Sequence, residues 1–134
     1  MSARILIIED NAPNMELMRY LLEAFGHTVV TACDGVEGLT LAHGAAPDLI
    51  ICDIHLPKLD GLGVIRHLKS NLCTHVVPVV AVTAQAMVGD RDKLLGAGFD
   101  GYLCKPIDPE CFVKQVDAFL PAPLRSVRLH TVLS

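Results

Sequence analysis

The stretch Leu49-Ile50-Ile51-Cys52-Asp53-Ile54-His55-Leu56-Pro57 ends an unbroken apolar run on a carboxylate and then turns. A run without polar alternation is the pattern of a strand buried on both faces, as in parallel sheets covered by helices. Two distant segments repeat it: Ile5-Leu6-Ile7-Ile8-Glu9-Asp10-Asn11 and Gly101-Tyr102-Leu103-Cys104-Lys105-Pro106. As parallel strands of one sheet, the three runs deliver Glu9, Asp10, Asp53 and Lys105 to the same edge. That edge is where open α/β sheets bind their ligands.

Working outward, strand signals fall at about 4–9, 28–32, 48–53, 77–83 and 100–104, with helical periodicity between them. Met15, Met18, Leu22 and Phe25 recur on one helical face, and Gly26 provides the stop. Asp34 is expected to open a second helix ending near His43-Gly44. Asp60 or Gly61 opens a third, with Ile65, Leu68 and Leu72 on its apolar face. A fourth is expected from about Gln85 to Leu95, weakened by Gly89 and Gly96. The fifth is expected at Asp108-Pro109-Glu110, Asp108 capping and Pro109 at the first helical position, with Phe112, Val116 and Phe119 facing the core. Five strand–helix units imply a parallel sheet with helices on both faces and right-handed crossovers. Pro121 and Pro123 close the domain, so residues 1–120 are read as one domain and 121–134 as a short tail.

The 134 residues suit one domain with one sizeable core. The mean hydropathy of +0.44 is high, as buried parallel strands require. No apolar run approaches the roughly 18 residues of a membrane helix; the run Val76 to Val82 contains Pro78. The strand-like pattern begins directly after Met1-Ser2-Ala3-Arg4, so no signal peptide and a cytoplasmic location are expected. A net charge of −4 argues against nonspecific binding to nucleic acid or anionic membranes. Five cysteines without a CxxC pair suggest reduced thiols rather than zinc or a disulfide framework. Cys52 and Cys104 lie in apolar runs, where free cysteine acts as a small hydrophobe.

Each candidate residue has a plain structural reading as well. Asp53 could serve only as a turn or cap residue, given Pro57 and Gly61 nearby. Glu9 and Asp10 could cap the first helix, and Thr83 the fourth. Lys105 could be solvated surface, although Pro106 fixes the backbone beside it and permits a cis bond. Together they say more. Three carboxylates brought close to one another need a raised pKa or a cation. Mg²⁺ suits such a set, since it takes a few carboxylates with water and phosphate oxygens. Lys105 at the same edge can meet a phosphate as a point charge.

Glu9-Asp10, Asp53 with Pro57 and Gly61, Thr83-Ala84, and Tyr102 with Lys105-Pro106 stand in the order of a known family. The sequence resembles a receiver domain of two-component response regulators, over about residues 4–120. Glu9-Asp10-Asn11 with Asn14-Met15, and Val82-Thr83-Ala84-Gln85-Ala86-Met87, are similar to small single-domain receivers of the DivK type. The resemblance implies a flavodoxin-like sheet of order 2-1-3-4-5 with five helices. It implies that Asp53 accepts a phosphoryl group from a histidine kinase or histidine phosphotransfer protein. Asp10, Asp53 and the backbone carbonyl of His55 would ligate Mg²⁺, with Glu9 acting largely through water. Lys105 would contact phosphoryl oxygens, next to Thr83-Ala84, and Thr83 with Tyr102 would form the switch. Phosphorylation would then repack the surface of the fourth helix, fifth strand and fifth helix, where a protein effector binds. His55, two residues after the acceptor, departs from the pattern, and with Gln85, two after Thr83, is expected to tune phosphate lifetime.

Other readings fit less well. A dehalogenase-like phosphatase places an Asp-x-Asp nucleophile at the first strand, whereas here the residues read Asp53-Ile54-His55 on the third. A nucleotide-binding turn after the first strand needs glycines, and Glu9-Asp10-Asn11-Ala12-Pro13 has none. A DNA-binding regulator would carry an output domain after Leu120. A phosphorelay intermediate and an acyl-phosphate hydrolase remain as alternatives to a terminal regulator.

Overall fold

The computed structural model describes residues 3–84 and 90–124. Five parallel strands form one sheet: β1 (Arg4–Ile8), β2 (Thr28–Ala32), β3 (Leu49–Asp53), β4 (Val79–Thr83) and β5 (Gly101–Cys104). Their order is β2-β1-β3-β4-β5, the flavodoxin-like arrangement expected. Between them run α1 (Ala12–Ala24), α2 (Gly35–Ala45), α3 (Gly61–Lys69) and α4 (Asp90–Ala97), with α5 (Phe112–Asp117) after β5.

Strand alternation divides the core in two. Ile5, Ile7, Leu49, Ile51, Val80, Val82 and Leu103 face α1 and α5. Leu6, Ile8, Ile50, Cys52, Val79 and Ala81 face the opposite layer, where Val64, Ile65, Leu68 and Leu94 of α3 and α4 pack. Every residue of β3 and β4 is buried, which is why these strands read as continuous apolar runs.

Local chemistry sets the helix ends. Asn11 caps α1, its side chain accepting from the Asn14 N–H at 3.0 Å. Gly26 follows with φ +93°, the left-handed conformation that glycine adopts freely. Asp34 and Asp60 cap α2 and α3 as expected, accepting from the N–H groups of Glu37 and Gly63.

Four expectations need correction. Phe25 leaves the buried face of α1, because it is already the residue at the helix C-terminus. Leu72 is 87% exposed, because α3 stops at Lys69 and the chain turns away. Helix α5 does not begin at Pro109. Residues 109–111 form a turn in which the Asp108 carboxylate accepts from the Glu110 N–H, and the helix proper starts at Phe112. Cys104 is exposed rather than buried, because β5 is an edge strand; Cys52, on a central strand, is buried. The expected start of the fourth helix near Gln85 lies outside the described residues; from Asp90 onward it is helical to Ala97.

At the end of the sheet opposite the carboxylates, His27 and Asp117 form a buried pair, with side chains 0% and 1% exposed. His27 Nδ1 accepts from the Ala3 N–H at 3.0 Å. The ring proton therefore sits on Nε2, which donates to Asp117 Oδ1 at 3.3 Å. This contact ties the start of the chain to the end of α5.

Gly61 brings α3 against the end of β3. A Cβ at this position would lie 2.6 Å from the Asp53 carbonyl oxygen and 2.7 Å from the Ile54 Cα, both rigid backbone atoms. The Gly61 N–H also donates to the Ile54 carbonyl at 2.8 Å. Gly61→Ala is expected to destabilise the fold by about 1–3 kcal/mol, the usual cost of overpacking. A urea midpoint unchanged from that of the parent chain would show that α3 can back away freely.

Candidate functional site

The carboxyl ends of β1, β3 and β5 converge. Glu9 follows β1 directly and is 2% exposed, while Asp53 is the last residue of β3 and is 5% exposed. Asp10 is exposed beside them. One carboxylate oxygen from each of the three lies within 4.8 Å of the others, the one such cluster of potential metal-binding groups among the described residues. The residues the sequence placed at this edge are thus together in space.

Lys105, one residue after β5, enters the cluster from the far side. Its Nζ donates to Asp53 Oδ2 at 2.9 Å and lies 3.0 Å from Glu9 Oε1. The second contact is an ion pair only: its direction does not make a hydrogen bond, and Glu9 Oε1 is buried without one. The other Glu9 oxygen accepts from the Asn11 N–H at 3.2 Å. The Lys105-Pro106 peptide is cis.

The electrostatics follow from burial and crowding. Burial, reinforced by the neighbouring Asp53 carboxylate, pushes the Glu9 pKa up to about 7 against the partial relief given by Lys105 and the Asn11 N–H. Burial works against the Lys105 charge, but its hydrogen bond to Asp53 and the attraction of the Asp53 and Glu9 carboxylates outweigh it and hold its pKa above the ordinary lysine value. Lys105 is therefore a fixed cation at neutral pH. Burial foremost, and then the carboxylate of Asp53, push the Cys52 thiol up, so it stays a neutral donor to the Asp53 carbonyl.

The loop after β3 completes the rim. The His55 N–H donates to Asp53 Oδ1 at 3.3 Å, and its side chain is exposed. His55 lines a small cavity of about 130 Å³ with Ile54, Leu62, Thr83, Asp90, Lys93 and Leu94. Thr83 ends β4 and is buried, and Ala84 beyond it is exposed. Tyr102 is half-buried on the α3–α4 side of the sheet. Gln85 lies outside the described residues.

A second cavity, of about 600 Å³, opens along β5 between α4 and α5. Arg91, Leu95, Tyr102, Cys104, Cys111 and Gln115 are among its lining residues. The sequence pointed to this face through the resemblance and through a fourth helix weakened by its glycines; in the structure Leu94 is the buried residue of α4. Nothing in the sequence marked Cys104 and Cys111 as sharing a groove, since the edge position of β5 is a property of the whole sheet.

The family model for the response regulator receiver domain matches residues 5–117. The chain belongs to the response regulator receiver family. It is 40% identical over 120 residues to the polar-differentiation response regulator DivK of Brucella ovis, covering 90% of this chain and 98% of that one. The DivK of Brucella anthropi matches with the same identity and coverage. Among solved structures, the chemotaxis response regulator CheY4 of Vibrio cholerae superposes with a TM-score of 0.85 at 26% identity, covering 90% of this receiver and all of that chain. The receiver domain of a sensor histidine kinase from Pseudomonas aeruginosa, solved with a magnesium ion coordinated in its active-site cleft, gives 0.81 at 31% identity, with 89% and 98% covered. No helix among the described residues of this receiver is long and apolar enough to cross a membrane.

The Glu9 shift makes metal-free stability depend on pH. Glu9 binds its proton more tightly in the fold than in the unfolded chain, where its pKa is near the ordinary 4.5. Its contribution is full below that value and is lost as pH rises towards about 7. At roughly 1.4 kcal/mol per pKa unit, the loss is at most about 3.5 kcal/mol. Urea midpoints in chelator at pH 5 and pH 8 check this. The decline is expected to shrink in Glu9→Gln; an equal decline in both chains would assign it to other groups.

Proposed function

We propose that the chain is a phosphoacceptor response regulator in which Asp53 receives a phosphoryl group from a phosphohistidine donor. The observation that carries this reading is the contact of Lys105 with both Asp53 and Glu9 at the carboxyl edge of the sheet. It gives the site a buried nucleophilic carboxylate with a fixed cation 2.9 Å from its Oδ2.

In the proposed transfer, an Asp53 Oδ atom attacks phosphorus, the P–N bond to the donor imidazole breaks, and the nitrogen keeps the electron pair. Lys105 already lies on Asp53 Oδ2, so its ammonium can pass to the incoming phosphoryl oxygens with little movement. Thr83 and Ala84, at the end of the neighbouring β4, are the proposed contacts to a further phosphoryl oxygen. Catalysis of this kind is mainly positioning and charge neutralisation.

The donor set fits Mg²⁺: oxygen only, three carboxylates, one of them exposed to solvent, and a buried Glu9 oxygen without a hydrogen bond. Asp10, Asp53 and the His55 carbonyl are the proposed ligands, with Glu9 acting through water. The ion would neutralise negative charge on the phosphoryl oxygens. The protein is in this reading a signalling receiver that promotes only its own phosphotransfer and autodephosphorylation. A role as phosphorelay intermediate uses the same chemistry.

Residues 1–120 are the proposed receiver unit and 121–134 a tail dispensable for signalling. Of that tail, Ala122–Leu124 form a short 3₁₀ turn, and Leu124 rests on the α1–α5 core. Output is proposed to leave through the α4–β5–α5 groove. Thr83 would move to the phosphoryl group, Tyr102 would turn inward, and a protein effector or kinase would read the changed surface. Such a switch biases two pre-existing states. A tenfold change in partner affinity needs about 1.4 kcal/mol of differential binding.

Acetyl phosphate with Mg²⁺ is expected to add one phosphoryl group by intact mass, lost in Asp53→Asn and suppressed by chelator. Labelling that persists in Asp53→Asn removes the assignment. Mg²⁺ at ten times its dissociation constant is expected to raise stability by about 1.4 kcal/mol; an unchanged melting temperature would count against the shared carboxylate site.

His55 borders the same cavity as Thr83, so His55→Ala is expected to alter phosphate lifetime while leaving phosphorylation intact. Gln85→Ala is the companion measurement, and lifetimes equal to that of the parent chain would leave both as ordinary loop residues. With beryllofluoride and Mg²⁺, chemical-shift changes are expected to cluster at 83–95 and 102–112. Changes confined to the surroundings of Asp53 would show that no switch reaches the groove.

A further inference from the structure

The loop after β3 holds a lysine in a conformation usually left to glycine. Lys58 has φ +67°, in the left-handed region that is costly for a residue with a Cβ and persists only where the surroundings enforce it. The Pro57 carbonyl accepts from the Leu59 N–H at 2.7 Å, closing a tight three-residue turn over Lys58, a rare and strained form. The same carbonyl accepts from the Gly35 N–H at 3.4 Å, in the first turn of α2. Gly35 permits this approach, since a Cβ there would run into the Leu59 carbonyl. Outside the turn, Lys58 Nζ lies 3.5 Å from Asp34 Oδ2.

Asp34 serves both elements. Its Oδ1 caps α2 by accepting from the Glu37 N–H at 2.8 Å, and its Oδ2 faces Lys58. The Glu37 N–H foremost, joined by the Lys58 cation, holds the Asp34 carboxyl below the ordinary carboxylate range. The strained turn is thus fastened to the start of α2 by a backbone hydrogen bond and an ion pair.

The other end of the loop is fixed to the sheet and to α3. The Ile54 N–H donates to the Val82 carbonyl at 3.2 Å, and the Ile54 carbonyl accepts from the Gly61 N–H at 2.8 Å. The peptide that carries the His55 carbonyl lies between these two anchors, Ile54 on one side and Pro57 on the other. Pro57 cannot absorb a change in φ, so relaxation of the turn at Lys58 reaches residues 55 and 56.

We propose that Asp34 and Lys58 are positioning residues of the metal site: by holding the strained turn against α2, the pair sets the direction of the His55 carbonyl for Mg²⁺. This rests on the Mg²⁺ reading given above. Both residues act through the loop rather than as ligands. Supports of this kind, one step behind the ligands, govern how well a metal site is preorganised.

The test uses the full chain and Mg²⁺ titrations followed by amide chemical shifts. Asp34→Asn keeps the helix cap and loses the charge, and Lys58→Met loses the ammonium. Each is expected to weaken Mg²⁺ binding by about two- to fivefold, the range of an exposed ion pair. The double variant is expected to bind no more weakly than either single one, because both remove the same contact. Lys58→Arg is expected to restore the parent affinity. Charge alone predicts opposite signs: removing a cation near the site tightens Mg²⁺ binding, and removing a carboxylate loosens it. Tighter binding in Lys58→Met, or additive losses in the double variant, overturns the positioning role.

A second arm needs no metal. In chelator, the His55 and Leu56 amide resonances are expected to move in both single variants. Resonances that stay in place overturn the proposal whatever the metal does. A parent chain whose shifts do not respond to Mg²⁺ overturns the metal reading and the metal's part of this proposal, and the chelator arm still decides whether the pair holds the loop.

Discussion

Two buried carboxylates held by one lysine are the constraint on which the rest of this structure depends. Glu9 comes from the end of β1, Asp53 from β3 and Lys105 from beyond β5, so the contact exists only when the whole sheet is assembled. Removing one partner of a buried charge pair typically costs about 3–5 kcal/mol, because the remaining charge is stranded. Here one cation serves two acids, and the acids repel each other as well. Burial foremost, and then the neighbouring Asp53 carboxylate, raise the Glu9 pKa, and the shared lysine relieves it only in part. Any added or removed positive charge beside these two carboxylates shifts the same balance.

The sheet keeps this tension local. β3 and β4 are buried throughout and lock Asp53 and Thr83 to a rigid floor. The parts free to respond lie on one side of it. Helix α4 buries Leu94 alone, and the turn at 109–111 enters α5 without a side-chain cap at Cys111. Elements with few buried apolar contacts open at low free energy. The buried floor under Asp53 and the sparsely buried α4 beside the groove come from the same unequal distribution of apolar residues.

That distribution explains what the sequence disclosed. Central strands announce themselves as apolar runs, and residues ending such runs share an edge by topology alone, so Glu9, Asp10, Asp53, Thr83 and Lys105 could be placed together. Cys104 looked buried for the same reason and is exposed, because no local signal distinguishes the last strand of a sheet from an inner one. Asp108-Pro109-Glu110 has the composition of a helix start, yet the Asp108 carboxylate bonds the Glu110 N–H and stabilises a turn instead. Leu72 belonged to the right periodicity but to a helix that ended three residues sooner. The His27–Asp117 pair was invisible: its members lie 90 residues apart, and each alone is an ordinary polar residue.

That pair has a consequence for how the molecule is made. His27 holds Ala3 at the beginning of the chain and Asp117 near the end of the described fold. A ribosome releases the chain from its first residue onward, at about 5–20 residues per second. During synthesis the early strands emerge with Glu9 and Asp53 uncompensated and His27 without its carboxylate. Only when the segment from β5 through α5 is free can both ends of the sheet be satisfied at once. The domain is thereby biased towards a late, concerted closure, and a chain cut short before Asp117 carries two unsettled polar sites instead of one.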